Sequence, residues 1–424
     1  MLQTLENNSK YRFAKEDDFR NIETTLKDRI QSHILEMFRD WDTNDEEKKK
    51  NMGLISGTSG KILCGFYVGR FTASNEITKK AESLLDFCIE NLNNQTFQLS
   101  NMFSFCNGLA GVCYLLEHLV DQGFVEKEYA EGLEEIETFL YEMGLKSLRV
   151  EKSDFLHGGM GVLYYFLKRI RFPHNRERVS KMITVYLENA KIDDKGLRMR
   201  NTVLLERKPE EYDLGLAHGL AGHLIIIAEA YQKGIEKETC KHIIEQGLRY
   251  FEQSFKDSKT TGYRGMYPVS IIEDIPADDP ENLAFYDSRL AWCYGDLNYA
   301  IMFLKLYEVF GKKELLEKAN YIGLEAAKRI TPEKSKIKNA FFCHGSAGVS
   351  NMFFQLYKKT GDVRYKEASN TLLIDTLSVL DEQLEVILNT SKNCLLNGRA
   401  GVILTLLSRH DQKASAWNDL FLLH

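Results

Sequence analysis

The sequence predicts an all-α fold in which seven helical hairpins close into one ring, an α/α toroid. Three observations carry that expectation. A Gly-x-x-Gly turn recurs along the 424 residues, helical stripes flank the turns, and prolines number only six.

The turns read SGTSGKI (56–62), NGLAGVC (107–113), HGGMGVL (157–163), HGLAGHL (218–224), YGDLNYA (294–300), HGSAGVS (344–350) and NGRAGVI (397–403). Their first glycines are Gly57, Gly108, Gly158, Gly219, Gly295, Gly345 and Gly398. A spacing of about 50 residues, held through the chain, marks a repeat architecture. After the second turn, Val112, Leu115, Leu116 and Leu119 fall on one helical stripe, and before it Leu84, Leu85, Cys88 and Leu92 form another. Each unit therefore reads as two helices, with glycine where the backbone must approach closely. Pro268, Pro276 and Pro280 share one segment, so long helices elsewhere are unobstructed. No alternating strand pattern runs beyond a few residues.

Such hairpins either stack as an open solenoid or close on themselves. The terminal units carry the same motif as the central ones rather than polar caps, which favours closure. In a ring the turns gather at one end. Asn107, His157, His218, Tyr294, His344 and Asn397, each just before its first glycine, would then line one cavity. Length alone suggests two or three domains. A repeat grows as one continuous core, so residues 1–424 are read as a single domain.

A composition of 44% hydrophobic and 27% charged residues is that of an ordinary soluble protein. The net charge of −6 argues against a nucleic-acid partner. No apolar run approaches the roughly 20 residues that span a bilayer. The N-terminal MLQTLENNSKYRFAKEDDF lacks the apolar core of a secretory signal, so a cytoplasmic location is expected. The eight cysteines are Cys64, Cys88, Cys106, Cys113, Cys240, Cys293, Cys343 and Cys394. In a long chain of this kind they are not read as a disulfide framework.

Cys343 and His344 stand side by side in FFCHGSAGV. They read as two metal ligands, as a nucleophile with its base, or as two buried side chains. Cys293, in AWCYGD, adds a third donor. A Cys, Cys, His set leaves zinc one open tetrahedral position, as catalytic sites require. The plainer alternative is that both cysteines pack behind their turns, but their shared place at the repeat landmark favours the metal. His218 would face the same cavity and is the candidate acid–base group, against a capping or core role. Asp154 would orient His218 or bind substrate; otherwise it is a solvated helix cap. Arg289 lies four residues before Cys293, one helical turn away. It would stabilise a developing anion or pair with Asp287 or Asp296. His157 is assigned a supporting role.

GLAHGLAG, WCYG, CHG and the late NGRAG turn together resemble the lanthionine synthetase cyclases, the LanC family, over essentially the whole chain. The resemblance implies a toroid of seven outer and seven inner helices around one zinc ion. It assigns Cys293, Cys343 and His344 as ligands, with His218, Asp154, Arg289 and Tyr294 as the catalytic set. It further implies closure of thioether rings, by adding a peptide cysteine to dehydroalanine or dehydrobutyrine in a lantibiotic-type precursor with a leader. The implied partners are a dehydratase and an export transporter, associated with the cyclase at the membrane. A free thiol of pKa about 8.5 is mostly protonated at neutral pH, so zinc would ionise and hold it. His218 would then deliver a proton to the α-carbon while Arg289 meets the enolate oxygen.

Two turns depart from the pattern. Asn298 stands where the other turns have glycine, and the fifth turn is expected to survive because Asn tolerates left-handed backbone. The third turn carries His157 where a smaller or acidic residue would also fit. The segment at about 256–286 lengthens the interval between the fourth and fifth turns and holds three prolines and the acidic run EDIPADDPE. It is read as a lid over the cavity mouth that buries little apolar area. Competing readings are a prenyltransferase-like zinc toroid, a toroidal glycosidase using Asp154 and Asp296, and a LanC-like protein that binds a thiol such as glutathione without cyclising anything.

Overall fold

The computed structural model describes residues 16–38, 50–203, 208–390 and 393–423. The stretch at 1–15, read above for a targeting signal, lies outside the described residues. Among those described, seven inner helices alternate with seven outer ones. The inner helices are Thr58–Thr72, Leu109–Asp121, Gly159–Lys168, Leu220–Gln232, Asp296–Phe310, Ser346–Thr360 and Arg399–His410. The outer ones are Glu16–Phe38, Asn75–Asn93, Glu134–Arg149, Pro173–Asn189, Lys237–Ser254, Lys313–Ala327 and Val363–Thr390.

Sequence decides which ring a helix joins. Every residue from Leu109 to Leu119 is buried, because that stretch has almost no polar face to turn outward. Asn75–Asn93, by contrast, fully buries only Ala81, Leu85, Cys88 and Asn91, one stripe of an amphipathic helix. Each inner helix packs against the next in order, and the seventh packs against the first.

The loops that lead into the inner helices are stitched to one another by backbone hydrogen bonds. Ile55 N donates to Cys106 O at 2.8 Å, and Cys106 N to Leu156 O at 2.7 Å. Further round, Ala217 N donates to Cys293 O at 3.2 Å, Trp292 N to Cys343 O at 2.8 Å and Cys343 N to Leu396 O at 2.8 Å. Leu395 N then reaches Ile55 O at 2.8 Å and closes the circle.

The second glycine, present in six of the seven turns, is required by this geometry. A Cβ at Gly348 would lie 1.7 Å from the Phe342 carbonyl oxygen, and one at Gly111 would lie 2.0 Å from that of Phe105. In each case the atom met is a backbone oxygen, so no side chain can yield. Gly348→Ala is expected to destabilise the fold by on the order of 3 kcal/mol. A denaturant midpoint equal to that of the parent protein would show that the turn can open at no cost.

Each turn separates two layers. Three residues before the first glycines, Leu54, Phe105, Phe155, Leu216, Trp292, Phe342 and Leu395 are fully buried. The residues just before those glycines, from Ser56 and Asn107 round to Asn397, are half-buried or exposed. Beneath the buried layer runs the C-terminal Gln412–Phe421 segment. The Phe421 ring lies 4.6 Å from Phe342 and 5.2 Å from Trp292, whose Nε1 donates to Phe421 O at 2.9 Å. This aromatic cluster packs the C-terminal segment against the buried layer.

Strands among the described residues are three residues long. Lys191–Asp193 pairs with Gly196–Arg198, and Glu211–Asp213 pairs with Ser270–Ile272, both antiparallel. The second pair joins the two longest intervals between turns into one composite layer. This corrects the expectation that 256–286 buries little apolar area. Met266, Tyr267, Ile272 and Tyr286 are buried, and Tyr267 packs 5.1 Å from Tyr299 on an inner helix. The tip, with Asp274, Pro276, Ala277, Asp278, Pro280 and Glu281, is exposed, as are Lys259, Gly262 and Ala284 among the described residues. No helix among the described residues is long and apolar enough to cross a membrane.

Candidate active site

The fifth and sixth turns bring three donors together. Cys293 Sγ lies 3.1 Å and Cys343 Sγ 3.4 Å from His344 Nε2, and all the ligand atoms lie within 4.8 Å of one another. Both sulfurs are buried and the imidazole is half-buried. The Trp292–Cys343 backbone bond fixes one turn against the other, so the cluster is set by the ring itself. The neighbouring Cys293 sulfur, and then burial, push the Cys343 thiol well above its ordinary value. Such a pair is costly to ionise alone and is relieved by a bound cation. Two thiols and an imidazole with room for a fourth ligand fit zinc. Among the described residues this is the one group of three or more His, Cys, Asp or Glu side chains so placed.

A second constellation bridges the third and fourth turns. His218 Nδ1 and Asp154 Oδ2 are 2.7 Å apart, with Asp154 fully buried and 26% of the His218 side chain exposed. Asp154 is thus no solvated cap. Its Oδ1 accepts from His157 N at 2.8 Å, and its Oδ2 also accepts from Asn201 Nδ2 at 2.7 Å. Burial alone would raise the carboxyl pKa, but the His218 charge and hydrogen bond, with His157 and Asn201, hold it below the ordinary carboxylate value. Burial likewise pulls His218 down, and the Asp154 charge and hydrogen bond outweigh it, leaving the imidazole above its ordinary value. His157 stacks parallel to His218 at 6.3 Å and is lowered by burial.

The ring puts these two constellations side by side. Ala217 N bonds Cys293 O, so His218 and Tyr294 flank a direct contact between the fourth and fifth turns. The Tyr294 ring lies 6.2 Å from His344, and the Arg289 guanidinium lies 6.0 Å from the Tyr294 ring. Burial raises the Tyr294 pKa, so its hydroxyl stays protonated at neutral pH. All seven candidate residues therefore fall on four consecutive turns. The remaining turns present Asn397, Ser56 and Asn107.

Three expectations need correction. Arg289 is not one helical turn from Cys293, because residues 288–295 are irregular and the helix begins at Asp296. Its suggested partners are engaged elsewhere: Asp287 with Arg264 and Lys336, and Asp296 with Arg329 at 2.9 Å. Asn298 does not take left-handed backbone. It is helical, its Oδ1 accepts from Leu216 N at 2.9 Å, and its Nδ2 donates to the Ala291 and Trp292 carbonyls at 3.1 and 2.9 Å. The strain moves to Gly295, whose φ is 106° where the first glycines of the other turns are extended. The glycosidase reading also loses its second acid, because Asp296 is fully buried beneath Met266 N and Tyr267 N.

Sequence reasoning missed Asn201, although the lengthened interval between the third and fourth turns was a signal that something extra enters there.

Comparison with known proteins agrees with this fold. A family model described as "Lanthionine synthetase C-like protein" matches residues 48–422. The nisin biosynthesis protein NisC of Lactococcus lactis subsp. lactis is 23% identical over 403 residues, covering 90% of this chain and 92% of NisC. The solved structure of nisin cyclase superposes with a TM-score of 0.70 at 20% identity, over 96% of this chain and 98% of that one. With an α/α toroid shared along nearly its full length and the family pattern matched across its repeats, the chain belongs to the lanthionine synthetase C-like family.

Proposed function

We propose that the protein is a zinc-dependent cyclase that forms lanthionine and methyllanthionine rings in a dehydrated, leader-bearing precursor peptide. The observation that carries this reading is the Cys293, Cys343, His344 cluster beside a buried Asp154–His218 pair. Zinc held by those three residues would supply Lewis acidity that ionises a cysteine thiol and fixes its sulfur near neutral pH. The chain's own groups do the rest. In the addition, a carbon–sulfur bond forms at the β-carbon of the dehydro residue, and the π electrons move toward its carbonyl. Arg289 offers positive charge to that developing enolate oxygen. Asp154 engages His218 Nδ1, leaving Nε2 to deliver the proton that the α-carbon requires. Tyr294, protonated and next to both sets, orients the peptide carbonyl. Atoms balance: one thiol proton is lost and one carbon–hydrogen bond is gained, so the product mass equals that of the substrate.

On this reading the cyclase works in the cytoplasm, with a dehydratase supplying the unsaturated residues and an exporter removing the product at the membrane. Incubation with a dehydrated, cysteine-bearing peptide tests the proposal. Thiols should become resistant to alkylation while mass stays constant. A peptide that binds but keeps its thiols alkylatable at the uncatalysed rate would favour a thiol-binding protein instead.

The exposed tip of the composite layer carries Asp274, Asp278 and Glu281, which suits a peptide contact. Deleting residues 274–281 should raise KM several-fold with little change in Tm, whereas deleting 265–272 should unfold the protein. An unchanged KM after the first deletion would remove the tip from substrate binding.

A further inference from the structure

The chemistry above gives no role to Asn201, a buried polar side chain in the reactive arc. Asn201 Nδ2 donates to Asp154 Oδ2 at 2.7 Å and to the His218 carbonyl oxygen at 2.9 Å. Its own Oδ1 accepts from Val203 N at 3.2 Å, so the amide's contacts agree on which end is nitrogen.

The backbone around it is pinned to the loop that bears Asp154. Asn201 forms an antiparallel bridge with Lys152, Thr202 N donates to Glu151 O at 3.0 Å, and Ser153 Oγ donates to Arg200 O at 3.0 Å. One amide thus touches both halves of the acid–base pair, and its own position is fixed from both sides. At this junction the Asn201 side chain reaches both turns at once, Asp154 on the third and the His218 carbonyl on the fourth.

We propose that Asn201 is a positioning residue for ring closure, holding the Asp154 carboxylate in line with His218 Nδ1 so that Nε2 faces the substrate. The inference rests on the cyclase reading for its chemistry. Three hydrogen bonds hold the carboxylate: His157 N on Oδ1, and His218 with Asn201 on Oδ2. Without Asn201 the buried oxygen loses a donor, and the histidine is its one remaining tether there. The carboxylate then turns about its Cα–Cβ bond, and the imidazole follows.

The charged and titratable groups that act on His218 are Asp154, Asp213, Cys343 and, on the neighbouring turn, His157. Of these, Asn201 touches only Asp154, so its removal should act through that residue alone.

The test uses zinc-loaded full-length protein and two readouts. Asn201→Leu should lower kcat by on the order of ten-fold, with metal content and KM unchanged. Titration of His218 by imidazole nuclear magnetic resonance should show its pKa falling toward that of Asp154→Asn. In the Asp154→Asn background, Asn201→Leu should change neither quantity further. An unchanged His218 pKa, or one that rises because the amide merely shielded the carboxylate, overturns the proposal, as does full additivity of the two substitutions. Should Asn201→Leu fail to fold, Asn201→Ser is read the same way, since serine is too short to bridge both oxygens. The titration needs no turnover. A protein that fails to cyclise any peptide can therefore still support or refute the positioning role, separately from the cyclase reading.

Discussion

Cys343→Ala and His344→Ala are each expected to lose bound metal and ring-closing activity together. Wild-type protein should carry close to one zinc per chain. Two donors remain in either variant, too few to hold the ion in a tetrahedral site. The loss of Lewis-acid activation amounts to several kcal/mol, or about a thousand-fold or more in rate. The fold should persist, because the ring is held through the Cys343 backbone, whose N and O bond Leu396 and Trp292. Metal analysis, activity and circular dichroism on the same preparations check all three statements. A variant that keeps its full zinc content would mean that the ligand is misassigned.

The second large effect separates proton transfer from metal binding. His218→Ala should retain zinc and fold but lower the cyclisation rate by about 10²–10⁴-fold. Equal rates for variant and wild type on a dehydrated peptide would end its acid–base role. The pH dependence follows from the pair's opposite shifts. His218 is raised, so its share of stability is full below the ordinary histidine value and is lost as pH rises through the folded value. Asp154 is lowered, so its share is present above the ordinary carboxylate value and is lost as pH falls through the folded value. The pair is therefore intact across mildly acidic pH. Activity should decline on the alkaline side as His218 loses its proton, and Asp154→Asn should move that decline to lower pH.

How much of this was legible in the sequence depends on the kind of signal. The turns announced themselves because a backbone carbonyl folded over each second glycine excludes any side chain, so the motif repeats. The residue preceding each first glycine is half-buried or exposed, while the one two positions earlier is buried, which is the alternation that the repeat landmark predicts. Local spacing misled where the chain is irregular: Arg289 reaches the site through Tyr294, not through a helical face. Asn298 was misjudged for a related reason. Its amide replaces contacts between turns, and a substitution pattern within one turn carries no trace of them. Asn201 stayed hidden because its partners, Asp154 and His218, belong to different turns. The composite layer was read as a lid because its prolines and acids are visible in sequence, while the burial of Tyr267 depends on an inner helix far along the chain.

The hydrogen bond from Leu395 to Ile55 has a consequence for how the protein is made. On the ribosome the first hairpins emerge long before the last, and the Ile55 carbonyl waits for a partner from the far end of the chain. Closure is a high-contact-order event and cannot begin until the final repeat is released. Until then the apolar flanks of the first and last inner helices are bare, a species prone to association. Chains truncated within the last repeat should therefore aggregate rather than yield a shorter stable ring.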